Sequence, residues 1–168
     1  VKFKTVDGFF DISNNGLTSL DGCPKTVTGD FNCSRNSLIS LFEGPTEVND
    51  FDCSYNQLKN LSYAPKEVKG NFDCSNNLID SVKGMPRTVK GYFNCSINKI
   101  ATLKGGPKYV DATFDCSQNL IDRLTGGPVS VGQDYLCFKN NLTDLDGVAD
   151  EIGFDLVSDI RLNHLSST

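Results

Sequence analysis

The phrase F-x-C-S-x-N recurs along this chain and sets a thiol, a hydroxyl and a carboxamide at fixed offsets in each copy. Regularly spaced thiols can ligate a metal, close disulfides or act as nucleophiles. Here Cys33, Cys53, Cys74, Cys95, Cys116 and Cys137 come once per copy and never as C-x-x-C, and with Cys23 the total is 7, an odd number. A zinc site needs ligands converging from neighbouring segments, whereas equivalent positions in a stack of repeats all point one way. We read the cysteines as small apolar core residues, kept reduced in a cytoplasmic setting. His164 is the single histidine, and a nucleophile needs an oriented base beside it in a pocket. No phosphate loop, H-E-x-x-H or dinucleotide fingerprint is present. The sequence therefore predicts no enzyme, no cofactor and no metal site. The N-x-S/T matches at Asn32, Asn60, Asn94 and Asn141 are read as products of the repeat.

The elements that position these groups follow from the spacing. The aromatic of each copy is Phe10, Phe31, Phe51, Phe72, Phe93, Phe114 or Tyr135, in steps of 21 residues with one of 20. Two residues on comes Ile12 or a cysteine, five on an asparagine from Asn15 to Asn140, and seven on a leucine or isoleucine. F-x-C alternates apolar and polar, the pattern of a short strand with one buried face. The asparagine falls where the chain turns away, and its amide can satisfy turn backbone groups, rung after rung. The second half of the copy, as in LKGGPKYV, carries glycine and proline, which oppose a helix. Extended, polyproline-like or turn backbone is expected there. No unit this small buries its own apolar face, so a period of this length means a stacked solenoid.

The motif F-x-C-S-x-N-x-L resembles the leucine-rich repeat, L-x-x-L-x-L-x-x-N-x-L, with Phe and Cys in two leucine positions. The proline-bearing half and the short period are similar to repeats of bacterial secreted effectors and of phage-encoded proteins. The resemblance covers residues 4 to 163 and implies a leucine-rich-repeat solenoid with short parallel strands on one face and few or no helices. It also implies a recognition surface, without naming what is recognised. The valine of the return half lies four residues before most of the aromatics, where the short effector repeats have three, so a bulge is expected before the strand. We divide residues 1–168 as one repeat domain: a partial leading repeat over 1–7, seven repeats over 8–152, and a degenerate, capping unit over 153–168 with a strand at DLVSDI.

Stacking turns the residues between core positions into exposed columns. Asp11, Asn32, Asp52, Asp73, Asn94, Asp115 and Leu136 form one, and Phe9, Asp30, Asp50, Asn71, Tyr92, Thr113 and Asp134 another. These columns carry 7 carboxylates, while most lysines fall in the return half, so the net charge of -5 hides a polarised molecule. A column of serines is read as facing out with the acids. The residue before each asparagine changes from one rung to the next: Asn14, Arg35, Tyr55, Asn76, Ile97, Gln118, Lys139. In the seventh repeat Leu136 and Phe138 replace the usual Asp/Asn and Ser, and a covering cap is expected over them. We expect a non-catalytic protein-binding module whose strand face (Asp30, Asp50, Asp52, Tyr55, Asn71, Asp73, Tyr92, Asn94, Asp115, Leu136 and Phe138) meets a partner with a basic surface. Phage or bacterial origin, with action in a host cytoplasm, fits the style of repeat. A structural or virion component and an acidic nucleic-acid mimic are the alternatives. The acidic balance argues against direct nucleic-acid binding. No apolar run approaches the ~20 residues of a membrane span, and VKFKTVDGFF does not read as a secretory leader.

Overall fold

The computed structural model describes residues 4–153, and every described turn of the chain is one rung of a parallel β-solenoid without helices. The strand face is a seven-stranded parallel sheet of two-residue strands: Phe10–Asp11, Phe31–Asn32, Phe51–Asp52, Phe72–Asp73, Phe93–Asn94, Phe114–Asp115 and Tyr135–Leu136. Register is strict, aromatic on aromatic, from Phe10↔Phe31 to Phe114↔Tyr135. The rings stack inside the coil with centroids 5.3 to 6.0 Å apart through Phe114, and Tyr135 ends the series edge-on at 5.0 Å. Offset-stacked rings at such separations add attraction beyond the area they bury. The cysteines form the next buried column, and Leu38, Leu58, Ile79, Ile100, Ile121 and Leu142 line the core behind them.

The return half is extended, and its Thr-Val and Glu-Val pairs hydrogen-bond into sheets of their own. Glu67–Val68, Thr88–Val89, Tyr109–Val110, Ser130–Val131 and Glu151–Ile152 make a five-stranded parallel sheet, while Thr5–Val6 pairs with Thr26–Val27. In place of the expected bulge, a corner of two or three residues links each return strand to the next strand of the main face. The 20-residue rung is short in this corner: Asn49 and Asp50 stand where the next rung has Lys69, Gly70 and Asn71. The register Phe31↔Phe51 survives, but at Glu47 and Val48 return pairing shrinks to isolated bridges.

Strands of two residues cannot hold rungs together alone; the asparagines supply the rest. Asn77 Nδ2 lies within hydrogen-bond distance of the carbonyls of Cys53 (3.0 Å), Cys74 (3.2 Å) and Ser75 (3.2 Å), and its Oδ1 accepts the Leu58 N–H at 3.0 Å. One side chain thus closes its own turn and ties it to the preceding rung. The inter-rung bonds recur at Asn36, Asn56, Asn98, Asn119 and Asn140. The serines after the cysteines are buried within this turn, contrary to the outward orientation expected of them: Ser117 is 1% exposed. Their N–H groups bond the preceding Asp or Asn side chain and most of their carbonyls the ladder amide, so the turn folds over them. The described residues run to the Glu151–Ile152 return strand of the seventh repeat, whereas DLVSDI, His164 and most of the capping segment lie outside them.

The residue before each asparagine is left-handed at all seven rungs, with φ between 53° and 59°. Asparagine tolerates this region, but a β-branched residue there is a steric outlier. Ile97, at φ 54° and 40% exposed, carries that strain with little burial to offset it.

Three outcomes are expected in urea unfolding. Asn77→Ala should cost ~3 kcal/mol, because it strips partners from several buried backbone groups. Asn15→Ala, at an exposed rung with two side-chain bonds, should cost under ~1 kcal/mol. Ile97→Asn should raise the midpoint by the equivalent of about 1 kcal/mol without changing the slope.

Candidate functional site

On the strand face, most of the residues expected to meet a partner flank the inward aromatics. The Asp/Asn following the aromatic serves its own turn first. One side-chain oxygen of Asp11, Asn32, Asp52, Asp73, Asn94 and Asp115 accepts the N–H two residues on, at 2.8 to 3.0 Å. This is an Asx-turn, the local geometry that Asp and Asn side chains favour. The second Asp73 oxygen accepts Asn94 Nδ2 at 3.1 Å, which links two rungs.

The residue before the aromatic serves the corner. Asp30 Oδ1 accepts Asn49 Nδ2 at 2.8 Å and the Asp50 N–H at 3.2 Å. Asp50 accepts the Asn71 N–H at 2.8 Å and its Nδ2 at 3.0 Å, and Asn71 Oδ1 accepts the Tyr92 N–H at 3.0 Å. A second ladder therefore runs up the corner, alongside the buried asparagines. It also explains two glycines. A Cβ on Gly70 or Gly91 would run into the Asp50 carboxylate or the Asn71 amide of the rung below.

Four of the expected residues come together. Asn71, Tyr92, Asn94 and Asp115 line one open depression of about 330 Å³, closed on its far side by Thr113 and Gln133. Tyr92 stands at its edge, 39% exposed. Burial first, then the charges of Asp73, Asp52 and Asp50, push its phenol up to about 12. Those three carboxylates therefore bear electrostatically on the depression without lining it. Asp30, Tyr55, Leu136 and Phe138 are not among its walls. Tyr55 lies instead at the turn, where the Arg35 guanidinium packs over its ring at 4.3 Å. Leu136 and Phe138 are half-buried on the last complete rung.

Other chemistry is distant from this face. Burial pushes the thiols of Cys33, Cys53, Cys74, Cys95 and Cys116 well above their ordinary value, which leaves them protonated and inert at neutral pH. No cluster of His, Cys, Asp and Glu among the described residues could hold a metal ion. No helix among them is long and apolar enough to cross a membrane.

Desolvation holds the Asp73 carboxyl above its ordinary value, partly offset by the bonds from Ser75 and Asn94, with the Asp52 charge adding to the rise. A native pKa above the unfolded one gives a stability contribution that is complete below ~3.9 and is lost as pH rises through the native value. Asn94→Ala removes a donor to the charged form, so carbon-detected NMR titration should find the Asp73 pKa higher still in that variant. An unchanged or lower value would show that the Asn94 bond contributes nothing there.

No protein-family model matches the chain, and neither a curated protein nor a solved structure matches it. Its function has to be read from its own surfaces.

Proposed function

We propose that this protein is a non-catalytic recognition module whose strand face binds a partner protein through Lys or Arg side chains. The observation that carries the reading is the Tyr92 depression, an aromatic wall under the combined field of Asp50, Asp52, Asp73 and Asp115. A cation entering it gains Coulomb attraction and can pack on the ring face. The turn and corner bonds of these carboxylates fix their positions before a partner arrives, which lowers the entropy cost of binding. Their bonding also weighs against the nucleic-acid mimic. A mimic presents a dense, solvated row of anions, and here the acids are interspersed with amides and point one oxygen into their turns.

The resemblance to leucine-rich repeats belongs to the same proposal, supported by the asparagine ladder and the short parallel strands. So does a reducing, cytoplasmic setting, supported by the column of buried thiols. Origin in a phage or bacterium, with a host protein as the target, completes the reading.

A pull-down from bacterial lysate, analysed by mass spectrometry at low and high salt, tests it. The comparison baits are Tyr92→Ala and the combined Asp52→Asn, Asp73→Asn, Asp115→Asn variant, which keeps the oxygen that each turn requires. A salt-sensitive basic partner should be held by the native protein and lost at least about tenfold with either variant. Equal retention by all three baits would remove the site from this face.

A further inference from the structure

The opposite face has a chemistry of its own. Lys66, Lys69, Lys83, Arg87 and Lys90 line a single cleft of about 730 Å³ between return segments, with Glu67 as the one carboxylate in its wall. The column continues one rung further, because the Lys108 N–H bonds the Arg87 carbonyl. Two of these cations are held in place: Lys66 Nζ donates to the Gly84 carbonyl at 3.0 Å and Lys108 Nζ to that of Gly126 at 3.3 Å. Each of the two side chains is tethered across to the next turn, and they stand two rungs, roughly 10 Å, apart with Arg87 on the rung between them. Each head keeps hydrogens for a further acceptor, since an ammonium has three.

Aromatic rings border the same surface. The cleft runs into an adjoining hollow of about 550 Å³ that shares Lys66, Glu67 and Lys69 with it and has Tyr63 in its wall. The Tyr63 ring is 54% exposed, yet the edge-on Phe42 ring at 5.2 Å supports it. At the other end Tyr109 is exposed in the return sheet, paired in register with Thr88 of the cleft. A surface that attracted only phosphate or sulfate groups would gain nothing from these rings. Unstacked bases would lie flat on them while their phosphates met the cations, the two-part arrangement that single-stranded nucleic acid needs. Paired bases turn their faces inward and could not reach the rings.

We propose that the return face binds single-stranded nucleic acid, with Lys69, Arg87 and Lys90 on the phosphates and Tyr63 as a stacking platform. The acidic whole-chain charge of -5 conceals this site because the five cations gather in one cleft with a single carboxylate in its wall, although Asp111 pairs with Lys90 at 3.5 Å beside it. The proposal stands apart from the strand-face reading and survives its failure.

Fluorescence anisotropy with a labelled oligothymidylate of about 15 nucleotides tests it on the full chain. Binding at low salt should weaken with a log–log slope of about −2 or steeper, which corresponds to three or more phosphates. The combined Lys69→Glu, Arg87→Glu, Lys90→Glu variant should lose at least about tenfold in affinity. A variant of equal charge change away from the cleft, Lys59→Glu, Lys99→Glu, Lys139→Glu, should lose about threefold or less. Tyr63→Ala, which alters no charge, should lose about fivefold or more. Unchanged circular dichroism confirms the fold of each variant. Absent binding at low salt, equal losses in the two charge variants, or a neutral Tyr63→Ala would each overturn the proposal. So would tighter binding of a sulfated oligosaccharide or of duplex DNA than of the oligothymidylate.

Discussion

One carboxamide per rung holds this molecule together. In each turn the carbonyls of the cysteine and the serine point into a region that water does not reach, and buried backbone groups left without partners are costly. The asparagine amide has two hydrogens and three carbonyls within 3.2 Å, so one hydrogen is shared. Two of those carbonyls belong to its own rung and the third to the rung before. Turn closure and rung stacking are therefore the same event, and neither forms without the other. The stacked phenylalanines and the thiol column then fill a core whose spacing the amides have already set.

The same economy governs the surface. Aspartates that look like a display of charge are also turn and corner acceptors, and this fixes where charge can stand. On the strand face a depression opens among them at Tyr92, and on the return face Lys66 and Lys108 bridge turns. Both faces carry charges held by bonds within the coil, carboxylates at the turns and corners of one and lysines across the turns of the other.

Most of the coil could be read from the spacing of a few residues. Phe, Cys, Asn and Leu at fixed offsets from each other specify strand, core and turn, because each occupies the same environment in every rung. The return sheets were less legible, since Thr-Val after proline is equally compatible with extended backbone that pairs with nothing. The corner ladder was missed because its column mixes Asp and Asn with Tyr92 and Thr113, and room for the Asp50 and Asn71 acceptors depends on a glycine one rung away. That glycine two residues before the next aromatic, at Gly70 and Gly91, was the available signal. The left-handed turn position was hidden by its own variability: Arg35, Tyr55, Ile97 and Lys139 are poor indicators of positive φ, and only Asn14 and Asn76 hinted at it. The depression at Tyr92 could not be read at all, because it depends on how the side chains of four rungs stand relative to one another.

The asparagine bond also bears on how such a chain changes over generations. Donor and acceptor sit on one side chain and meet the same partners in every rung, so a rung is interchangeable with its neighbours. Copying errors that duplicate or delete a whole unit leave each remaining junction chemically identical. The shortened corner at Asn49 and Asp50 shows the complementary tolerance, since a lost codon there leaves the Phe31↔Phe51 register untouched. The length of the coil is therefore a heritable quantity that recombination can adjust in whole steps, without the fold being invented again.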